Sequence, residues 1–575
     1  MYRKSRLADV IFTVVLLAAI IISLSVYAPF RIGFKEQVTL FSWDWGLFSP
    51  CFADPALLAT ILGEWLTTFF IHNAQGIVIS ALLLCAVAWS LMSLDRLSDK
   101  EPSLALIAGV VLLEEYFLTF LNYPLSRTVS LLLSVLAACA VLRVKNGSVR
   151  FLLTALGIPV MFVLAGGHAL TFALLCCIAE RKKRIGMIIA SVAGVLVMMV
   201  CGRLYNLSLV QTLVYPMLPL NVVPAPGLMV VQFICAAAVP FRTGFRWNGL
   251  KIAVLSVLTV LAGMWAANDK ITEYNIRIGT NAYNGDWKKV LMEGEKNLTR
   301  YGLYYRNLYY ARQGRLPDNL LTIKQDRLSG GLFLQTGQSE SYLSSFYYTD
   351  ALLEMGNLSE ATDCALLGQT AMNGERSSRM MRRLAEISVA AGDYEVAGKY
   401  LRILEKTRNH RAWARNLQDC IAQDKIPEQY LLWRGRTSEN DIMYNQGDNR
   451  SALKIIAAES PMNKIAVDYL LCSYLIEKNV NSFVAQYERS YLNGLDRVVN
   501  VPDLYQEALL VNVDSDESLR AVMDKYHLSE SVVSKYMSLM NLIAEGAEPQ
   551  SLPQQFHNTY WYYIMSVKFD NNIKR

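Results

Sequence analysis

From Asp9 to Ala28 the chain runs for twenty residues with very few polar side chains, directly after a start that carries Arg3, Lys4 and Arg6. Coiled as a helix, such a run matches the thickness of a bilayer's hydrocarbon core. It is long for the core of a secretory signal, and Pro29 follows the one small-residue cleavage point, so an uncleaved span is expected. Further apolar stretches run from Ile77 to Leu94, Leu104 to Leu121, Val129 to Leu142, Gly186 to Cys201, Leu228 to Phe241 and Ile252 to Ala267. One more, from Phe151 to Ala179, is interrupted by Gly166-Gly167-His168. Its arms of 15 and 11 residues reach only about 22 and 17 Å, which suits a tilted or re-entrant hairpin. Broken helices of this kind often border a binding cavity, whereas His168 alone is equally an ordinary capping residue.

Basic residues decide how these segments are threaded. If the interrupted stretch crosses once, Arg181-Lys182-Lys183-Arg184 falls opposite Arg143, Lys145 and Arg150; as an out-and-back hairpin it keeps both clusters on the cytoplasmic side. The second threading gives 15 cytoplasmic Lys and Arg against four outside, namely Arg31, Lys35, Arg127 and Arg203. Nine membrane segments that start inside end outside, so everything beyond Ala267 is expected to be extracytoplasmic. Residues 54–73 carry Leu58, Ile61, Leu62, Trp65, Leu66, Phe69 and Phe70 at helical spacing, with Thr60, Glu64, Thr67 and Thr68 on the other side. With Asp54 as N-cap and Pro55 at the first helical position, the pattern predicts an amphipathic helix on the outer membrane surface.

After Ala267 the pattern changes to amphipathic helices of ten to fifteen residues separated by Gly, Asn and Asp, with no sustained strand alternation. The expected fold class is therefore all-α: a polytopic transmembrane domain over 1–267, then a helical domain over 268–575. Four turns share Gly, then Asp or Asn, then a small or apolar residue five after the Gly: Gly285 to Val290, Gly356 to Ala361, Gly392 to Ala397 and Gly447 to Ala452. Weaker echoes stand at Gly314 and around Asn479 to Phe483.

Composition sharpens the division. The first 267 residues hold 19 Lys and Arg against 11 Asp and Glu; the remaining 308 hold 36 against 38. The basic excess lies in short loops between apolar runs, which excludes the broad basic face that nucleic acid requires. Six of the ten cysteines, Cys85, Cys139, Cys176, Cys177, Cys201 and Cys235, lie in or beside apolar segments as small hydrophobes. Cys51, Cys364, Cys420 and Cys472 are far apart and signal neither a disulfide framework nor a zinc site.

Candidate chemistry is sparse. Glu114 and Glu115 fall inside the third apolar segment, where each costs about 2.5 to 3.5 kcal/mol near a membrane centre unless it faces protein or water. Being adjacent, they point about 100° apart, so at most one comfortably faces a given cavity. Asp44 stands between Trp43 and Trp45 in the first outer loop, with Glu36 eight residues earlier. That loop reads either as tryptophans resting at headgroup level or as a base or metal ligand near the leaflet. Pro216, Pro219, Pro224 and Pro226 stiffen a later outer loop, which roofs a cavity or merely separates two helices. The tail's tyrosine clusters, Tyr301 to Tyr310, Tyr342 to Tyr348 and Tyr560 to Tyr563, fit helix-pair cores, with any surplus suited to a peptide or sugar chain. No Walker loop, G-x-S-x-G elbow, H-E-x-x-H or kinase set is present.

The Gly turns resemble those of the tetratricopeptide repeat at irregular intervals, which implies a degenerate α-solenoid whose grooves take a protein or envelope polymer. The whole layout looks like an uncharacterised family of bacterial polytopic membrane proteins with tetratricopeptide-like tails, and implies the bacterial cytoplasmic membrane. A second similarity, in architecture alone, is to the GT-C glycosyltransferases that use lipid-linked sugars at the outer leaflet. That resemblance implies Asp44 as base or metal ligand, Glu114 or Glu115 as supporting acid, and His168 or Arg203 near the phosphate. It admits a divalent metal and no other cofactor. The closely spaced acid pair of that class is absent here, Asp44 standing alone in the sequence.

Overall fold

The computed structural model describes residues 2–97, 104–180, 184–215, 269–296, 299–325, 331–334, 342–370, 376–438, 449–492, 494–495 and 500–566. All regular structure among the described residues is helical. The expected segments Leu228 to Phe241 and Ile252 to Ala267, the four loop prolines and the turn at Gly447 lie outside them.

The chain forms two compact units, and their boundary does not follow the sequence boundary at 267. The first unit comprises Met1–Ile276 together with Gln369–Met381 and Arg402–Asn416; the second comprises Arg277–Gly368, Arg382–Leu401 and Leu417–Arg575.

In the first unit the helices are α1 (Tyr2–Tyr27), α2 (Pro29–Gln37), α3 (Leu57–Thr67), α4 (Asn73–Leu97), α5 (Leu104–Leu118), α6 (Leu125–Arg143), α7 (Gly147–Ala165), α8 (Ala169–Ala179), α9 (Arg184–Leu204) and α10 (Leu209–Val214). Five helical stretches are long and apolar enough to cross a membrane: Asp9–Tyr27, Asn73–Leu97, Leu125–Arg143, Gly147–Ala179 and Ile185–Leu204. α5 has 15 residues, and α7 and α8 join through a single helical turn at Gly166–His168, so the expected nine do not emerge as nine long helices among the described residues. The break falls at Gly166, whose φ of +70° only glycine adopts without strain.

α6 is the hub, with α3, α4, α7 and α8 all packed on it. Its buried face is built of small and branched residues, Ser126, Ser130, Ser134, Ala138, Leu131 and Val135, as suits close helix approach inside a bilayer. Gly63 of α3 lies so near the backbone of Ser126 that a side chain there would collide. Outward, α1 exposes Ile11, Val15, Ile22 and Val26, and α9 exposes Ile188, Val192, Leu196 and Val200. Apolar rows of this length facing away from protein are what lipid requires and water penalises.

The second unit is made of paired helices around a repeated turn. Gly285, Gly314, Gly356 and Gly392 all take φ between 66 and 84°. In each, the Gly amide donates three residues back and the next amide five back, as in Gly356 to Leu353 and Asn357 to Leu352. This closure needs a left-handed residue, which explains the glycine. Val290, Ala361 and Ala397, five residues on, are fully buried. Lys478 takes φ of 58° at the corresponding place before Asn479, whose side chain caps the next helix at Ser482. The tyrosines fill cores: Tyr304, Tyr305, Tyr347 and Tyr348 are buried, with the Tyr304 hydroxyl donating to the Tyr347 carbonyl at 2.7 Å.

Candidate functional site

The residues singled out in the sequence go to three places. Asp44 caps a short helical turn, its Oδ1 accepting from the Gly46 amide at 3.1 Å, and pairs with Lys406 at 3.0 Å. Glu115 turns toward Ser23 of α1, to which it is hydrogen-bonded. Glu114, fully buried, accepts from the Tyr123 hydroxyl at 2.6 Å and from Thr128 Oγ1 at 2.7 Å. His168 is also fully buried, with Nδ1 3.0 Å from Thr171 Oγ1.

Arg127 joins the last two. Sequence reasoning assigned it to a loop, but it lies in the first turn of α6 with no exposed surface. Its Nη1 donates to the Tyr215 carbonyl at 2.9 Å, which also accepts from the Gly167 amide at 3.0 Å. The guanidinium interacts electrostatically with Glu114, Tyr123 and His168. Glu114, Arg127 and His168 thus belong to one buried polar cluster, whereas Asp44 and Glu115 stand apart from it. The signal for Arg127 was a cation opening an apolar segment, where burial demands a partner.

A second group, missed in the sequence, surrounds the Tyr215 side chain. Its hydroxyl is hydrogen-bonded to the exposed Asp54, and Cys51, Glu64 and Arg376 lie close enough to interact electrostatically. Burial pushes the Glu64 carboxyl up to about 7, with Arg376 opposing it. Asp54 was expected to cap α3. Instead Ala56, at φ of 63°, precedes the helix, and its amide donates to the Phe162 carbonyl at 3.2 Å. The helix therefore starts at Leu57 and leaves the Asp54 carboxylate for Tyr215. Two acids of the first loop, ten residues apart, so flank one tyrosine and one arginine.

The third group closes around α2. The Glu273 carboxylate accepts from the amides of Phe30 at 2.7 Å and Arg31 at 3.2 Å, and from Arg31 Nε at 3.2 Å. A carboxylate suits the amide-rich start of a helix. At the other end, Ser377 Oγ donates to the Gln37 carbonyl at 2.7 Å and Ser378 Oγ to that of Glu36 at 3.0 Å. Arg379 reaches the Gln37 side chain at 3.0 Å; Asn409 reaches Glu36 at 2.8 Å and the Thr68 carbonyl at 2.8 Å. Lys35, buried, donates to the carbonyls of Phe120 and Tyr123, and burial beside Arg31 pushes its ammonium down to about 7.

No three His, Cys, Asp or Glu side chains gather as a metal site among the described residues, and no disulfide joins the described cysteines. The second unit holds an open groove of about 680 Å³ lined by Asp318, Lys464, Asp503, Glu507, Lys535 and Pro502 among others.

Apolar faces turned outward, five helices of membrane-crossing length and a paired-helix tail define an all-helical protein with a membrane-capable N-terminal half. The chain belongs to the family of unknown function DUF6057, whose model matches residues 4–566. No curated protein and no solved structure matches it.

Proposed function

We propose that the protein is an integral protein of the bacterial cytoplasmic membrane that holds a tetratricopeptide-like helical domain on the far side from its N-terminus, where that domain binds a protein or an envelope polymer. The observation that carries this is the capping of α2. That helix follows α1 after one residue, so it stands at the end of the first span away from Arg3, Lys4 and Arg6. Glu273, Ser377 and Ser378 cap it at both ends, and Asn409 and Lys406 hold the loop that follows. This geometry supports the orientation without any count of spans. The mixed-charge groove of the second unit supports a binding role, being open, polar and of peptide size. Alkaline phosphatase fused after Arg575 is expected to be active and a fluorescent protein there dark in a bacterial host; a dark phosphatase and a bright fluorophore would overturn the reading.

A second reading, transfer of a sugar from a lipid carrier, is favoured by the convergence of Asp54, Glu64, Arg376 and Tyr215, and no longer by Asp44. In it, Glu64 is poised for proton transfer near neutral pH and Arg376 faces a phosphate. Replacing Asp54 by Asn together with Glu64 by Gln is then expected to leave protein levels intact while a lipid-linked sugar accumulates. Unchanged envelope glycans at normal protein level would remove this reading and leave the first standing.

A further inference from the structure

In the first unit a run of aromatic side chains lies open beside a run of cations. Trp43 is 60% exposed and Trp45 67%, and Phe52, Leu58, Trp65 and Ile71 are also exposed. The rings touch in series: Phe41 to Trp43 at 5.1 Å, Trp43 to Trp65 at 6.3 Å and Trp65 to Phe69 at 5.6 Å. The guanidinium of Arg408 sits 4.1 Å over the Phe69 ring, which ties the segment Arg402–Asn416 to the aromatics. That segment carries Arg402, Lys406, Arg408, Arg411 and Arg415 against Glu405 alone, within a tail whose overall balance is slightly acidic. Lys406 pairs with Asp44 and Arg415 with Glu405; Arg402, Arg408 and Arg411 keep exposed positions.

We propose that this ledge is a binding surface for anionic phospholipid headgroups, with the tryptophans at headgroup depth and Arg402, Arg408 and Arg411 toward the phosphates. Three features favour a bilayer lipid over a soluble partner. The aromatic ledge continues the apolar surface of α3 and sits on a loop that joins two membrane-length helices, α1 and α4. Tryptophan, apolar on one side and polar on the other, prefers the headgroup region. Arginines clustered beside that depth attract anionic lipid. A phosphate in free solution would need the cations but not the exposed rings.

The test uses the full-length protein in a zwitterionic detergent, titrated with bromine-labelled phosphatidylglycerol, bromine-labelled phosphatidylcholine or inorganic phosphate, with tryptophan quenching as the readout. The phosphatidylglycerol is expected to quench at lower concentration than the phosphatidylcholine. Its midpoint should rise roughly fivefold for each arginine replaced in Arg402→Gln and Arg408→Gln. The anion-dependent quenching should shrink in Trp43→Phe with Trp65→Phe, which removes two of the ledge's three tryptophan reporters and leaves Trp45 and the cations in place. Arg402 is exposed, so Arg402→Gln is expected to fold as the parent does, and an unchanged melting temperature in that variant controls for it. Equal quenching by both lipids, variants that titrate like the parent, or full displacement of phosphatidylglycerol by millimolar inorganic phosphate would each overturn the proposal.

Discussion

Replacing Arg127 with Met is expected to destabilise the first unit by about 3 to 5 kcal/mol, because it removes a buried guanidinium that attracts the Glu114 carboxyl and bonds the Tyr215 carbonyl. Glu114 keeps the Tyr123 and Thr128 hydroxyls. The change also removes the donor that shares the Tyr215 carbonyl with the Gly167 amide, so the contact between α10 and the turn at Gly166 loosens. Replacing Glu114 with Leu alone should cost a similar amount, since the guanidinium then loses the attraction of that carboxyl. The double replacement should recover much of the loss, because two apolar groups in a bilayer-embedded core need no partners. Thermal unfolding of the purified protein in detergent, followed by helix content, measures all three. Single losses that simply add in the double variant would show that Glu114 and Arg127 do not act as a pair.

That pair marks the limit of what one sequence discloses. The two glutamates in an apolar run announced that polar partners had to exist, and their directions diverge as adjacent helical positions must: Glu114 to Tyr123 and Thr128, Glu115 to Ser23. The partners' identities were hidden, because hydropathy is a local property and Arg127 is joined to Tyr215 across 88 residues. The Gly turns were legible for the opposite reason. A left-handed residue at a helix end leaves a local chemical trace, and Gly285, Gly356 and Gly392 show it; Lys478, which adopts the same conformation without glycine, gave only the faint echo at Asn479. Asp54 misled because Asp-Pro is a strong helix-start signal, yet the chain spends one more residue, Ala56, in a left-handed turn before coiling. Asp44 looked isolated because its cation, Lys406, is 362 residues away. The same distance hid the division into units, in which residues 369–381 and 402–416 belong with the loop after α1.

In the second unit the largest effect is expected from Glu386→Ala, again about 3 to 5 kcal/mol. Glu386 is 2% exposed, accepts from Arg382 Nε at 3.0 Å and is ion-paired with Arg383. Arg383 also bonds Asp350 at 2.8 Å, and the second oxygen of Asp350 accepts from the Tyr305 hydroxyl at 2.7 Å. Alanine at 386 therefore removes the carboxylate that both guanidiniums share, leaving Arg383 its bond to Asp350 and the Tyr283 ring beside both as a weak substitute. Burial alone would raise the Glu386 carboxyl, but Arg383 and Arg382 outweigh it and hold it below its ordinary 4.5. Because the folded state lowers that value, the contribution is fully present above the ordinary carboxylate range and is lost as pH falls through the folded one. Hydrogen exchange of peptides covering residues 378–391 should accordingly be slow and flat from pH 7 to 5 once corrected for the intrinsic pH dependence of exchange. It should speed up only as pH falls below the ordinary carboxylate range in the parent. In Glu386→Ala it should be fast throughout, with no acid step attributable to this carboxyl. A variant that keeps the parent's protection at pH 7 would show that the helix does not depend on the Glu386 ion pairs.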